Sequence, residues 1–190
     1  MFAVLTLIAS LPSLFSGFSA DDYIHRAKLT GDSVLTAKGV ILPDSPKLSR
    51  ALLDLYDWAP ASRIPTFIDY GHLPWWTDPH LRVSFFRPLT ALTQWIDYQL
   101  WPHSPAMMHL HGLTWLFLMV WSVCVLFKKV IPSPTLCAAA MIIFCIDHTL
   151  YLTAGWIASR NALMSVFFGA SAINAFLRYS KEKLSKWLVA

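Results

Sequence analysis

The chain has 190 residues, of which 56% are hydrophobic and only 14% are charged, and its mean hydropathy is +0.50. Soluble domains carry roughly 25% charged residues, and a globule of this size leaves too much surface outside to hide so many apolar side chains. The composition excludes intrinsic disorder and a disulfide-built secreted scaffold, and it argues against a soluble enzyme. It predicts an integral membrane protein.

The net charge of +4 is distributed as in a membrane protein. Residues 18–105 carry eight Lys or Arg and nine Asp, whereas 128–129 and 178–186 together carry six Lys or Arg and one Glu. Basic clusters beside apolar segments are typical of membrane topology and not of a nucleic-acid-binding face, so we expect no nucleic-acid partner. The cysteines lie in apolar runs without metal-ligand spacing, which predicts buried thiols and no metal site; they are Cys124, Cys137 and Cys145.

The first predicted element is a transmembrane helix over residues 1–18. This run has no charge and about the minimum length for a span, and a membrane helix tolerates the bend that Pro12 introduces. A cleaved signal peptide is the alternative. It is less favoured because no Lys or Arg precedes Arg26, and because cleavage after Ala20 would leave Phe18 at the −3 position.

Residues 19–105 are predicted to form a large outward loop. Two amphipathic stretches in it, over 47–58 and 88–101, predict short helices that lie along the membrane surface. Pro88 fits the first turn of the second helix and Pro102 ends it.

Residues 106–190 are predicted to hold transmembrane helices two to four and a basic cytoplasmic tail. The apolar stretches are 106–127, 135–146 with a weaker extension to Ile157, and 161–177. The two basic clusters lie two spans apart and therefore on one side, which the positive-inside rule makes cytoplasmic. The predicted fold is all-α: a multi-pass protein of the plasma (inner) membrane with about four transmembrane helices and a cytoplasmic N-terminus.

The strongest candidates for chemistry are Asp21 and Asp22, directly after the first span. Carboxylates at a membrane boundary are costly and indicate function, and partial desolvation with mutual repulsion can raise one pKa toward that of a general base. The alternative is that they are solvated residues at a helix start, where Asp is favoured.

A second group of candidates consists of cations and histidines. Arg87 precedes a predicted helix, where a guanidinium and backbone N–H groups suit a phosphate, although it could instead reach toward lipid headgroups. His109 and His111 stand at the outer end of the second span, two residues apart and therefore not on one helix face. Other polar residues predicted at the same side of the membrane are Asp147, His148, Arg160 and Asn161.

The order of these motifs resembles the N-terminal part of GT-C glycosyltransferases. The motifs are 17–23 (Gly-Phe-Ser-Ala-Asp-Asp-Tyr), 86–89 (Phe-Arg-Pro-Leu), a span containing His, and 156–161 (Trp-Ile-Ala-Ser-Arg-Asn). The likeness covers about residues 5–180 and is notably to bacterial relatives of protein O-mannosyltransferases and of tetratricopeptide-containing transmembrane mannosyltransferases. It implies transfer of a sugar from a polyprenyl-phosphate donor to a glycan or protein acceptor at the outer face.

The resemblance also implies roles for individual residues. Asp21 and Asp22 match the acid of the first outward loop that acts on the acceptor, and Arg87 or Arg160 would stabilise the leaving phosphate; His109, Asp147, His148 and Asn161 would line the site. Leu152 stands where relatives often have Glu, and the family's enzymes have many more spans. The chain is therefore expected to be an N-terminal portion, inactive by itself. The alternative is a small, non-catalytic membrane subunit that binds a lipid-linked glycan or assists envelope assembly.

Overall fold

The computed structural model describes residues 1–30 and 48–189, with side chains throughout except at positions 50 and 182–189. This part of the chain is mostly helical. It divides into two compact units, one formed by Met1–Ser19 with Ser104–Ala190 and the other by Ala20–His103.

The first unit is a bundle of helices around a long central one. Its core packs α1 and the α7–α8 segment against α6, with Leu116, Met119 and Leu163 among the buried side chains. Its elements are α1 (Phe2–Ser10) with a 3₁₀ continuation (Leu11–Phe15), α6 (Pro105–Val130), α7 (Pro134–Ile146), α8 (His148–Ala154), a 3₁₀ turn (Ile157–Ser159) and α9 (Arg160–Val189).

Two described helical segments are long and apolar enough to cross a membrane, Pro105–Val130 and Ile157–Lys181. The pair α7 and α8 would make a third crossing if its two helices, bent by 46°, form one broken span. The predicted first span is shorter than expected, since Phe2–Phe15 is an apolar helix below the length of a full crossing. Its α-helical part ends at Ser10 and Pro12 lies in the 3₁₀ continuation, as the missing N–H of proline favours.

The second unit combines short helices with one small sheet. Its described elements are α2 (Asp21–Thr30), α3 (Leu48–Asp54), β1 (Asp57–Ala59), a 3₁₀ turn (Ala61–Arg63), α4 (Ile64–Asp69), β2 (Val83–Ser84) and α5 (Pro88–Leu100). The strands pair antiparallel, with Asp57 opposite Ser84 and Ala59 opposite Val83 across a bulge. The predicted helix at 88–101 is present and begins at Pro88.

The predicted helix over 47–58 is wrong in its second half, because β1 begins at Asp57. Pro60 follows β1, and a residue before proline is forced out of the helical region toward extended backbone. Lys47, the predicted start, lies outside the described residues.

Candidate functional site

Asp21 and Asp22 form the first turn of α2, but their side chains have different surroundings. Asp22 is buried, with 1% of its surface exposed, and its backbone oxygen accepts a hydrogen bond of 3.4 Å from Tyr98 Oη. Asp21 is only partly buried, and this burial raises the pKa of its carboxyl above the usual range. Of the two carboxylates, Asp21 is therefore the one that a substrate reaches without unfolding the helix start.

Asp21 shares a helix face with residues that line a cavity. Asp21, Ile24 and Lys28 stand three and four residues apart on α2, which places them on one side of the helix. Ile24 and Lys28 line a half-open cavity of about 430 Å³ whose other walls come from β1, α4 and β2. Trp58, Phe67 and Val83 make these walls largely apolar. Asp21 thus lies about 10 Å from Lys28 along the helix axis, at the end of the face that the cavity uses.

Lys28 joins α2 to the end of α3. Its Nζ donates to three backbone carbonyl oxygens, those of Asp54 at 3.1 Å, Leu55 at 3.2 Å and Asp57 at 2.7 Å. An ammonium at the carboxyl end of a helix satisfies carbonyls without a helical partner and complements the helix dipole. Burial lowers the pKa of Lys28 to about 8, with Asp57 opposing and Arg63 reinforcing the change.

Arg63 is the second cation of the cavity. It ends the 3₁₀ turn before α4, and its side chain makes no hydrogen bond or ion pair within the described ranges 1–30 and 48–189. The guanidinium therefore keeps its forked donors for a ligand, whereas the Lys28 ammonium is already occupied by carbonyls.

A buried histidine packs behind this cavity. The ring of His25 stacks on Trp58 at 5.1 Å between centroids and meets Tyr56 edge-on at 4.8 Å. Burial lowers the pKa of His25 to about 3, helped by the positive charges of Lys28 and Arg87 and opposed by the Gln94 amide. His25 is neutral at physiological pH, so it serves as a packing element and not as a proton carrier.

Arg87 is held by aromatic rings at the start of α5. Its guanidinium carbon lies 4.8 Å from the centroid of Tyr56 and 4.6 Å from that of Phe85. Tyr98, whose hydroxyl donates to the backbone oxygen of Asp22, lies eleven positions further along the chain on the same helix.

The other predicted site residues belong to the first unit, where Arg160 is buried with 1% of its surface exposed. Its Nη2 donates to the Met108 backbone oxygen at 3.0 Å, and its Nη1 lies 3.4 Å from Nδ1 of His111. His109 is also buried, and its Nε2 donates to the Gly17 oxygen at 2.8 Å. Arg160 and His109 therefore join the start of α6 to α9 and to the segment after α1, and the guanidinium is not open to a phosphate.

Asp147 and His148 are exposed at the α7–α8 bend. Oδ1 of Asp147 accepts from Thr149 N at 2.9 Å and Thr149 Oγ1 at 2.7 Å, so this residue caps α8. Asn161 is partly exposed in the first turn of α9, where its backbone oxygen accepts from Ser165. Within the described part of the chain, no three His, Cys, Asp or Glu side chains group in a way that could hold a metal ion.

Sequence reasoning missed Lys28, Trp58, Arg63 and His25. His25 and Lys28 lie on α2, whereas Trp58 and Arg63 lie 30 or more positions further along the chain, on β1 and the 3₁₀ turn that follows it. The one signal in the sequence that could have found part of this site is the i, i+3, i+7 spacing of Asp21, Ile24 and Lys28. No family model matches the chain, and neither the curated proteins nor the solved structures give a significant match.

Proposed function

We propose that this chain is a membrane glycosyltransferase, or the N-terminal portion of one, that transfers a sugar from a polyprenyl-phosphate-linked donor to a glycan or protein acceptor on the outer face of the plasma membrane. The observation that carries the proposal is the position of Asp21. A partly buried carboxyl with a raised pKa lies on the α2 face that lines the cavity, and the same cavity holds the guanidinium of Arg63.

The proposed membrane location rests on apolar side chains that the first unit leaves exposed. Leu136, Ile143 and Ile146 on α7 and Phe176 on α9 each expose 65% or more of their surface. Outward-facing aliphatic and aromatic side chains on helices long enough to cross are favourable in lipid and costly in water. We propose four transmembrane segments, α1 with its 3₁₀ continuation, α6, the bent α7–α8 pair and α9, with the N-terminus in the cytoplasm.

The proposed reaction uses groups of the second unit. Asp21 accepts the proton of the acceptor hydroxyl while the hydroxyl oxygen attacks the anomeric carbon of the sugar. The bond from that carbon to the phosphate oxygen breaks, and the polyprenyl phosphate leaves with the electron pair. Arg63 stabilises the charge that develops on the phosphate, and the apolar walls around Trp58 and Phe67 exclude water from it.

The second candidate function is binding of a lipid-linked glycan without transfer. The burial of Asp22 and Arg160 favours it, because two groups that the family resemblance assigns to chemistry are enclosed by protein. A cavity of about 430 Å³ is of the size that small-molecule sites have, and such a cavity serves binding as well as catalysis.

The test uses the complete gene product that contains this chain, reconstituted in phospholipid vesicles with a panel of polyprenyl-phosphate sugars. Asp21→Asn should lower donor turnover at least about a hundredfold, because the amide keeps the shape but loses the basicity. Arg63→Lys should weaken donor binding, since an ammonium loses the bidentate fork. Asp69→Asn, an exposed carboxylate of the same unit, is the matched control and should leave turnover unchanged.

The outcomes separate the two functions. Turnover by Asp21→Asn at the parent rate would refute Asp21 as the base. Donor binding that Arg63→Lys weakens, without turnover by any variant, would establish the binding function in place of the enzyme.

A further inference from the structure

A second cavity lies in the first unit, between the end of α6 and the stretch of α9 from Leu177 to Lys181. It has a volume of about 570 Å³ and is lined by Lys129 and Val130 from α6 and by Leu177, Arg178 and Lys181 from α9. Three of its five lining residues are cations and the other two are aliphatic. A wall of this kind complements a molecule that carries a negative charge next to a hydrocarbon portion.

Polar contacts between the two helices fix the shape of this cavity. Nζ of Lys129 donates to the Asn174 backbone oxygen at 3.1 Å, and Nδ2 of Asn174 donates to the Ser122 oxygen at 3.0 Å. One turn further along, the hydroxyls of Ser122 and Ser171 lie 3.1 Å apart. These contacts hold the end of α6 against α9 beside the cavity, whose lining includes Lys129 of α6 and Arg178 and Lys181 of α9.

The position of the cavity on the helices identifies its occupant. Lys129 and Val130 are the last residues of α6, and Lys181 is the last residue of the apolar segment Ile157–Lys181. A membrane-crossing helix reaches the headgroup layer at its ends. The exposed side chains of Ile173 and Phe176 lie one to two turns before Lys181 on α9, where acyl chains would begin.

We propose that this cavity binds the headgroup of an anionic phospholipid, with the phosphate between the cations of α6 and α9 and the glycerol and first acyl carbons against Val130 and Leu177. Basic pockets between transmembrane helices on the cytoplasmic side bind such headgroups. The site rests on the proposed membrane location but not on the proposed sugar transfer. The site gives a ligand to Lys129 from the first basic cluster and to Arg178 and Lys181 from the second, in addition to their proposed role in topology.

The test places the full chain in phosphatidylcholine nanodiscs that contain up to about one-third phosphatidylglycerol, and native mass spectrometry counts the lipids retained by the released protein. We expect one retained phosphatidylglycerol in preference to phosphatidylcholine. Lys181→Gln should weaken this retention about fivefold, as the loss of one cation near a phosphate predicts. Lys128→Gln removes the same charge from the residue next to Lys129 but outside the cavity, and it should leave retention unchanged.

Four results would overturn the site. Equal retention of the two lipids would show that the cavity does not prefer an anionic headgroup. An equal loss of retention in Lys128→Gln and Lys181→Gln would show that the charge acts diffusely. Displacement of the lipid by millimolar inorganic phosphate or glycerol phosphate would show a soluble anion site instead. Release of the chain from vesicles by alkaline carbonate would refute the membrane location and the lipid site with it, whereas retention without lipid preference would refute the site alone.

Discussion

Acid should unfold the second unit through the protonation of His25. The imidazole is buried between Trp58 and Tyr56, and its pKa falls from 6.5 to about 3 on folding because of burial and of the nearby charges of Lys28 and Arg87. The unfolded chain therefore binds one proton more than the folded chain between these two pH values. Stability from this group is complete above pH 6.5 and is lost as the pH falls toward 3.

The magnitude follows from the size of the pKa change. Each pH unit between the two pKa values lowers the free energy of unfolding by about 1.4 kcal/mol, so the loss is about 2 kcal/mol at pH 5 and about 5 kcal/mol at pH 3. His25→Phe keeps the ring packing and removes the titration. Neither ring nitrogen of His25 makes a hydrogen bond of good geometry with a described residue, but the Gln94 amide interacts with the imidazole. The comparison therefore uses the change in stability with pH in each protein and not the absolute stability at pH 7.5.

The assay is denaturant unfolding of the full chain in neutral detergent, followed by tryptophan fluorescence at pH 7.5, 6 and 5. The parent should lose about 2 kcal/mol more than His25→Phe between pH 7.5 and 5. His72→Gln is the control, because His72 is exposed in the same unit, and it should keep the slope of the parent. If His25→Phe and the parent lost stability in parallel, the imidazole would be protonated in the folded state and the argument from burial would fail.

Three further predictions address other parts of the chain. Lys28→Met should destabilise the second unit by about 2–4 kcal/mol in the same assay, because three carbonyls lose an ammonium donor; an unchanged midpoint would contradict the capping role. Arg160→Leu should lower the free energy of unfolding by about 3 kcal/mol, which is read as a lower melting temperature in detergent, since the oxygen of Met108 loses a buried charged donor. A variant as stable as the parent would show that Arg160 does not have this structural role. A single cysteine at Ser45 should react with a membrane-impermeant thiol reagent in intact cells and one at Ser133 should not, and the opposite labelling would invert the proposed topology.

The parts of the fold that the sequence predicted are those with a local cause. Pro88 marks the start of α5 because its fixed backbone angle suits a first helical turn, and the long apolar runs form α6 and α9 because length and composition decide a hydrophobic helix. The strand β1 was missed because its partner strand, Val83–Ser84, lies 24 or more positions away, outside any local pattern. The early end of α1 at Ser10 was missed because a proline in an apolar helix can either bend the helix or end its α-helical part, and the sequence alone does not distinguish the two outcomes.

The candidate site shows the same division between local and tertiary causes. Asp21 and Asp22 are equivalent in sequence, and only the packing of α2 against Tyr98 encloses one carboxylate and leaves the other accessible. The family resemblance assigned the phosphate to Arg87 or Arg160, yet rings hold the first and backbone acceptors the second. Arg63 has no motif around it, and what distinguishes it is the cavity that β1 and α4 form beside it. The proposed base can thus be found from a short motif, whereas the proposed phosphate-binding cation depends on which guanidinium makes no hydrogen bond or ion pair with the described residues.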